Sequence, residues 1–287
     1  MRTFVRFGLG GMGLLLVAQS PFSFAAVVSP PADPAAEVQV AYERLHAQPY
    51  RQREITLMTL PTGRPKGAQN LPPVVTEVVG DRTRMVFEMT VPQHGQLRTE
   101  QVTVGDRRAT RTIAPGILAM IEKTRRRVTV NATRSILQQA ISILTAVQTG
   151  GLSTHSTISN LVNAAATLKT TADARRALDQ AAAAFGEWQL VPENEDEEDL
   201  PTFDDSADMI VEFVGEETLN GRAMRSFRRR PEQDFGMGME ERLLIDAATG
   251  LPAAEEMHMG GRPMVRVEYF DIGADITIEL PAVLAAD

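Results

Sequence analysis

A succession of short strands, each cut off by a turn signal, fills residues 207–281 and limits the architectures open to this chain. Met209-Ile210-Val211-Glu212-Phe213-Val214 is rich in strand formers and stops at Gly215. Residues 223–229 follow the turn Leu219-Asn220-Gly221, and residues 240–246 alternate charged with apolar side chains before Ala248-Thr249-Gly250. Residues 252–259 end at Gly260-Gly261-Arg262-Pro263. Val265, Val267 and Tyr269 then share one strand face, and Ile276, Ile278 and Leu280 share another. Period-2 alternation between Asn-Gly, Thr-Gly and Gly-Gly punctuation predicts an antiparallel meander. Such a sheet needs an apolar layer against its inner face.

Upstream, Asp33-Pro34 joins a capping carboxylate to a proline suited to the first helical turn. Val38, Ala41, Tyr42 and Leu45 then recur at helical spacing, which predicts one short amphipathic helix. A strand is expected over 50–60. Hairpins are expected over 74–89 and 97–113, turning at Gly80-Asp81-Arg82 and Gly105-Asp106-Arg107. Val128-Thr129-Val130 reads as a sixth strand. The period then changes. Ile136, Leu137, Ala140, Ile141, Leu144 and Val147 fit one helix face, and Ile158, Leu161, Val162, Ala165 and Leu168 fit a second. Helix resumes over 172–185 after a kink at Thr170-Thr171. These helices carry apolar faces that must be buried, so the block should pack across the sheet. The acidic run over 193–206 reads as a solvated loop returning the chain to the meander.

Three local features resemble the LolA/LolB-like superfamily of periplasmic lipoprotein and lipid carriers, including its LppX/LprG-type lipoproteins. One is the amphipathic helix leading into the first strand. Another is the strand–loop–strand run Val211-Glu212-Phe213-Val214-Gly215-Glu216-Glu217-Thr218-Leu219-Asn220-Gly221-Arg222. The third is Leu244-Ile245-Asp246-Ala247-Ala248-Thr249-Gly250-Leu251-Pro252, similar to the family's I-D-x-x-T-G-L-P hairpin. Val267-Glu268-Tyr269-Phe270-Asp271-Ile272-Gly273 and Ile276-Thr277-Ile278-Glu279-Leu280-Pro281 are similar to its terminal hairpin. The likeness is good over 207–281, looser over 35–113 and absent from the helical block. It implies an α+β fold: a curved antiparallel β half-barrel of about eleven strands, with a helical lid, over an apolar cavity and without a shared catalytic site. The expected layout is a signal peptide over 1–25 and a single LolA-like domain over 26–287. That domain has its helical insertion at 133–187, between the two halves of the sheet, and its acidic loop at 193–206.

Arg2 and Arg6 precede an uncharged run over 7–18, and Ser23-Phe24-Ala25 places small residues before a cut after Ala25, the plan of a secretory signal peptide. Gly8, Gly10 and Gly13 match G-x-G-x-x-G, but they sit inside this segment, without the strand and helix a dinucleotide site needs. Cysteine is absent, which excludes disulfides, thiolate metal sites and a lipobox anchor. These features predict a soluble periplasmic protein. With 29 basic against 37 acidic side chains, the net charge of −8 argues against a nucleic-acid partner.

No constellation of catalytic residues stands out, so no enzyme activity, cofactor or metal is predicted. His46, His94, His155 and His258 show no metal-binding spacing, and Ser153, Ser156 and Ser159 lie in no nucleophile elbow. Arg125-Arg126-Arg127 and Arg228-Arg229-Arg230 fit either solvated, acid-paired positions or contacts to an anionic headgroup or membrane surface. Met209, Met224, Met237, Met239, Met257, Met259 and Met264 crowd the last third, as core filling or as a deformable cavity wall. The expected function is a carrier or binding protein for a lipid, a lipoprotein acyl chain or another hydrophobic ligand. Candidate wall residues are Ile55, Leu57, Val86, Val211, Phe213, Met257, Val267, Tyr269 and Ile278. Ile136, Ile141, Leu144, Leu161 and Leu168 would form the lid. The alternative is a non-enzymatic interaction module in envelope assembly or stress sensing, with envelope proteins as partners.

Overall fold

The structure is a computed structural model that describes residues 30–57, 72–148, 154–191, 209–232 and 238–285. The signal-peptide and acidic-loop expectations lie outside the described residues. Helix α1 (Pro34–His46) is the first described element, with the Asp33 carboxylate accepting the Ala36 N–H at 3.0 Å and Pro34 in the first turn. Five strands follow: β1 (Tyr50–Thr56), β2 (Val74–Val79), β3 (Arg82–Val91), β4 (Gly95–Val104) and β5 (Arg107–Ile113). Helices α2 (Pro115–Arg125), α3 (Val130–Gln148), α4 (His155–Thr167) and α5 (Thr171–Ala183) form one block. Strands β6 (Gln189–Val191), β7 (Met209–Leu219), β8 (Arg222–Pro231), β9 (Met239–Asp246), β10 (Pro252–Met259) and β11 (Arg262–Phe270) precede the short α6 (Ala282–Ala285).

All eleven described strands join one antiparallel sheet in the order β6-β5-β4-β3-β2-β1-β11-β10-β9-β8-β7. The fold is therefore α+β, an open half-barrel with its helices inserted between two halves. The halves meet where β1 pairs β11, from Arg51 opposite Phe270 to Thr56 opposite Val265. Bulges at Phe213/Gly215, Met257/His258 and Pro252/Ala254 interrupt the ladders, and each bends its strand and increases the local twist. Turn chemistry fixes the β9–β10 register. Asp246 Oδ1 accepts the Ala248 and Thr249 N–H groups, each at 2.9 Å, while Gly250 takes the left-handed φ of 67° that closes the turn. Burial alone would raise the Asp246 pKa, but those backbone donors and Arg222 outweigh it and hold the carboxyl below its usual value.

Directly opposed residues share a sheet face, so one row can be followed across ten strands. It runs Phe213, Phe227, Leu243, Glu255, Val267, Glu54, Val74, Phe87, Thr99, Thr112. Helices cover this inner face at both ends. At one end α1 sets Val38 and Ala41 against Phe227, Leu243 and Ile245. At the other, the α2–α5 block packs Ile117, Leu137, Leu144, Leu161 and Leu178 with Val74, Phe87 and Leu97. Glycine is required at the start of α2, because a Cβ on Gly116 would lie 2.0 Å from the His94 carbonyl oxygen.

Three local expectations are corrected, and one helix is added. Val128-Thr129-Val130 is not a strand: Thr129 accepts the Ala132 N–H through Oγ1 at 3.2 Å and caps α3, which begins at Val130. The helix α2 was not anticipated. The break at Thr170-Thr171 is a full helix boundary, with Thr170 and Asp173 forming a reciprocal capping box at the start of α5. Ile276, Ile278 and Leu280 do not form a ladder strand. Ile278 instead packs with Val102, Ala109 and Leu284 on the outer face.

Candidate ligand site

Between the two helix-covered regions, the inner face of β10, β11 and β1, with the start of β9, forms a strip that we call the trough. None of the buried apolar clusters includes a residue of β1 or β11. One end of the trough carries methionines beside the Arg229–Glu241 ion pair, with Glu241 directly opposite Met257. Met257 opposes Val265, and Met259 opposes Met239, on the face shared with Val267. Met257 and Met259 are 38% and 39% exposed, an unusual position for thioether chains on the inner side of a sheet. The other end is aromatic and polar. Tyr269 donates to Glu255 Oε1 at 2.6 Å, and its ring meets buried Tyr50 edge-on at 6.0 Å. Gln52, Glu54 and Thr56 complete the β1 side, each half-buried.

The electrostatics of this floor follow from burial. Desolvation pushes the Glu255 carboxyl above the usual carboxylate range, and the hydrogen bond from Tyr269 only partly offsets it. The Tyr269 phenol is raised too, first by burial and then by the Glu255 charge. A carboxyl with a raised folded pKa keeps its proton longer in the folded than in the unfolded chain. Stability therefore falls as pH rises from the unfolded pKa through the folded one. Glu255→Gln removes that penalty and leaves an amide oxygen to accept from Tyr269. The variant is expected to melt above the wild type at neutral pH, with the difference shrinking as pH falls below the ordinary carboxylate range. An equal or lower melting temperature at neutral pH would contradict this assignment.

The structure brings Met257, Val267 and Tyr269 together in the trough. Val211 and Phe213 share its face but lie beside α1, packed against the cluster of Phe227 and Leu243. Ile55 and Val86 are on the opposite face. Ile55 opposes Arg266, one position from the inward pair of Glu54 and Val267, and Val86 opposes Val75, one position from the inward pair of Phe87 and Val74. Ile278 also lies on the outer side, and Leu57 follows the end of β1, 38% exposed. Ile136, Leu144, Leu161 and Leu168 are buried within the helical block's own core, with Ile141 half-buried against it. They belong to the cluster that joins the block to Val74, Phe87 and Leu97 of the sheet. Glu255 and Glu54 were not singled out as site residues, whereas Met239 and Met259 belong to the methionine group read as core filling or a deformable cavity wall. Only the cross-strand register, which no local pattern carries, places them together. Among the described residues no three His, Asp or Glu side chains converge as a metal site, and no helix is long and apolar enough to cross a membrane.

Fold and trough together define a helix-flanked, open antiparallel half-barrel with an amphipathic inner face. No protein-family model matches the chain, and no curated protein matches it in sequence. Among solved structures it is similar to LprF from Mycobacterium bovis, at 13% identity and a TM-score of 0.37 over 88% of this chain and 99% of that one. It is also similar to the Mycobacterium tuberculosis lipoprotein LppX, at 9% identity and a TM-score of 0.38 over 86% and 100%. MucB of Pseudomonas aeruginosa, solved in complex with MucA, is similar at 12% identity and a TM-score of 0.30 over 85% of this chain and 56% of that one.

Proposed function

We propose that the chain is a non-enzymatic carrier or binding protein of the bacterial periplasm whose ligand is a lipid, a lipoprotein acyl chain or a similar amphiphile. The observation that carries this reading is the pair Met257 and Met259. Two large apolar side chains stand partly exposed on the inner face while helices bury that face on either side. Methionine adapts to irregular apolar shapes, so such a wall accepts chains of differing length and unsaturation. In this reading Met239, Met257, Met259, Val265 and Val267 contact the apolar chain. Glu255 and Tyr269 lie at the polar end of the same trough. The helical block and α1 act as its flanking walls, with the block's own interior already packed.

The test is binding of a fluorescent fatty acid, together with native mass spectrometry of the protein as purified. Full burial of one methionine side chain contributes about 1.5–3 kcal/mol. The Met257→Glu/Met259→Glu variant should therefore lose probe affinity by at least about tenfold. It should keep its fold, because exposed substitutions usually change stability by less than about 0.5 kcal/mol. Wild-type protein with no lipid adduct and no probe affinity, or a variant that binds as well as wild type, would overturn the reading.

A further inference from the structure

The two arginine triplets have different fates. Arg228 and Arg230 both pair with Glu212, at 2.8 and 3.1 Å, and Arg229 pairs with Glu241 at 2.5 Å. That cluster is neutralised within the sheet. In the other triplet, Arg125 closes α2 and reaches Asp179 on α5 at 2.5 Å and Glu122 at 3.6 Å. Arg126 and Arg127 stand exposed in the corner between α2 and α3, with no acidic partner among the described residues. Arg134 is exposed near the start of α3. Arg175 and Arg176, also exposed, lie one helical turn from Asp179, whose bond to Arg125 ties the two helices together at that point. Residues one turn apart on a helix have Cβ atoms about 5–6 Å apart, so Arg175 and Arg176 have Asp179 beside them, and Arg176 also lines the α4–α5 groove with Asp173. Arg126, Arg127 and Arg134 are the exposed cations of the block without an acidic partner among the described residues.

This surface opposes the charge of the rest of the molecule. Residues 115–187 carry eight Lys and Arg against four Asp and Glu, in a chain of net charge −8. The helical block is therefore cationic and the remainder strongly acidic. A polyanion that wraps its partner would meet both signs. A flat anionic surface meets only the face turned toward it, because charges beyond a Debye length of about 8–10 Å are largely screened. Arginine also suits phosphate through its forked donors.

We propose that the exposed arginine face of the α2–α5 block docks on an anionic phospholipid bilayer. The contact is peripheral and electrostatic, built from Arg126, Arg127 and Arg134. It is separate from the trough and does not depend on what the trough binds.

Co-sedimentation of the full chain with phosphatidylcholine vesicles, with and without phosphatidylglycerol, tests it. Binding is expected only to the anionic vesicles and should fall as salt is raised. Each Lys or Arg near an anionic surface contributes about 1 kcal/mol, roughly fivefold in partitioning. The Arg126→Ala/Arg127→Ala/Arg134→Ala variant should thus bind on the order of 100-fold more weakly. Its unfolding curve should match the wild type, since all three side chains are exposed. The Met257→Glu/Met259→Glu variant should bind vesicles as the wild type does, which separates this inference from the ligand reading. Three results would overturn it: no binding to anionic vesicles, equal binding by the arginine variant, or retention on nucleic acid or an acidic protein without retention on vesicles.

Discussion

Phe87→Ala is expected to destabilise the protein by about 3–5 kcal/mol, the usual cost of deleting a buried aromatic ring. Phe87 is fully buried on β3, where Leu97 and Val74 meet the helices of the block. The loss combines lost transfer free energy with the cavity left behind, because a sheet cannot collapse to fill the void. The same strand supplies its own control. Val86 points to the other face and is half-buried, so Val86→Ala should cost markedly less. Urea unfolding followed by circular dichroism reads both. Since α2–α5 dock through this region, Phe87→Ala should also loosen the block, and native-state hydrogen exchange should rise across all four helices. A loss below about 1 kcal/mol, within the range of ordinary substitutions, would mean that the block is not held by this core.

Much of the fold was legible because its signals are local. Asp33-Pro34 starts a helix by backbone capping alone, and Gly80, Gly105, Asn220-Gly221 and Gly250 mark turns because their φ angles are positive. The failures share a cause: a local pattern read as tertiary pairing. Residues 276–280 do alternate, with Ile276 and Ile278 buried and Thr277 and Glu279 exposed. Alternation reports an extended segment buried on one side, and an outer-face strap satisfies it as well as a ladder strand does. Gly215 reads as a strand end, yet β7 continues through it to Leu219 with a bulge and a φ of 143°. Glycine inside a strand often marks such a bulge. Helix α2 is short, and its Pro115-Gly116 start resembles a turn. Ile117 and Ile121, four apart and both buried, were the available helical signal.

The site was harder to read, for a different reason. Within β1 both faces carry charge: Gln52 and Glu54 point inward, Arg51 and Arg53 outward, and Ile55 is the strand's one aliphatic side chain. Hydropathy therefore nominates Ile55 for the inner face, although it points out. Pairing parity decides the matter, and parity is set by β11, more than two hundred residues away in sequence. The same pairing brings Glu54 and Glu255 to either side of Val267. A trough with carboxylates in its floor does not announce itself as a run of apolar residues.

The outer face shows how the sheet carries charge where it needs stability rather than binding. Glu100 has a side chain only 3% exposed and is ringed by three arginines. Arg111 reaches Oε2 at 2.7 Å, and Arg84 and Arg98 reach Oε1 at 3.3 and 2.6 Å. The Arg98 Nε contact lies off the hydrogen-bond direction, so charge attraction rather than a directed bond holds it. Arg111 also stacks on Trp188, its guanidinium 4.6 Å from the ring centroid. Burial alone would raise the Glu100 pKa. The Arg111 hydrogen bond and the charges of Arg98 and Arg84 outweigh it and hold the carboxyl below the usual range. Removing one partner of a buried ion pair typically costs about 3–5 kcal/mol. Here the arginines are partly solvated, and Arg84 and Arg98 retain Glu77 and Glu88, so Glu100→Ala should fall near the lower end, about 3 kcal/mol. The sign of the pH dependence follows from the depressed pKa. Glu100 stabilises the fold fully above the unfolded-state pKa, and the contribution is lost as pH falls through the folded one. The stability gap between wild type and Glu100→Gln should therefore hold steady through neutral pH and close in acid. A gap that persists unchanged in acid would show that shape and hydrogen bonding, not charge, are what Glu100 supplies.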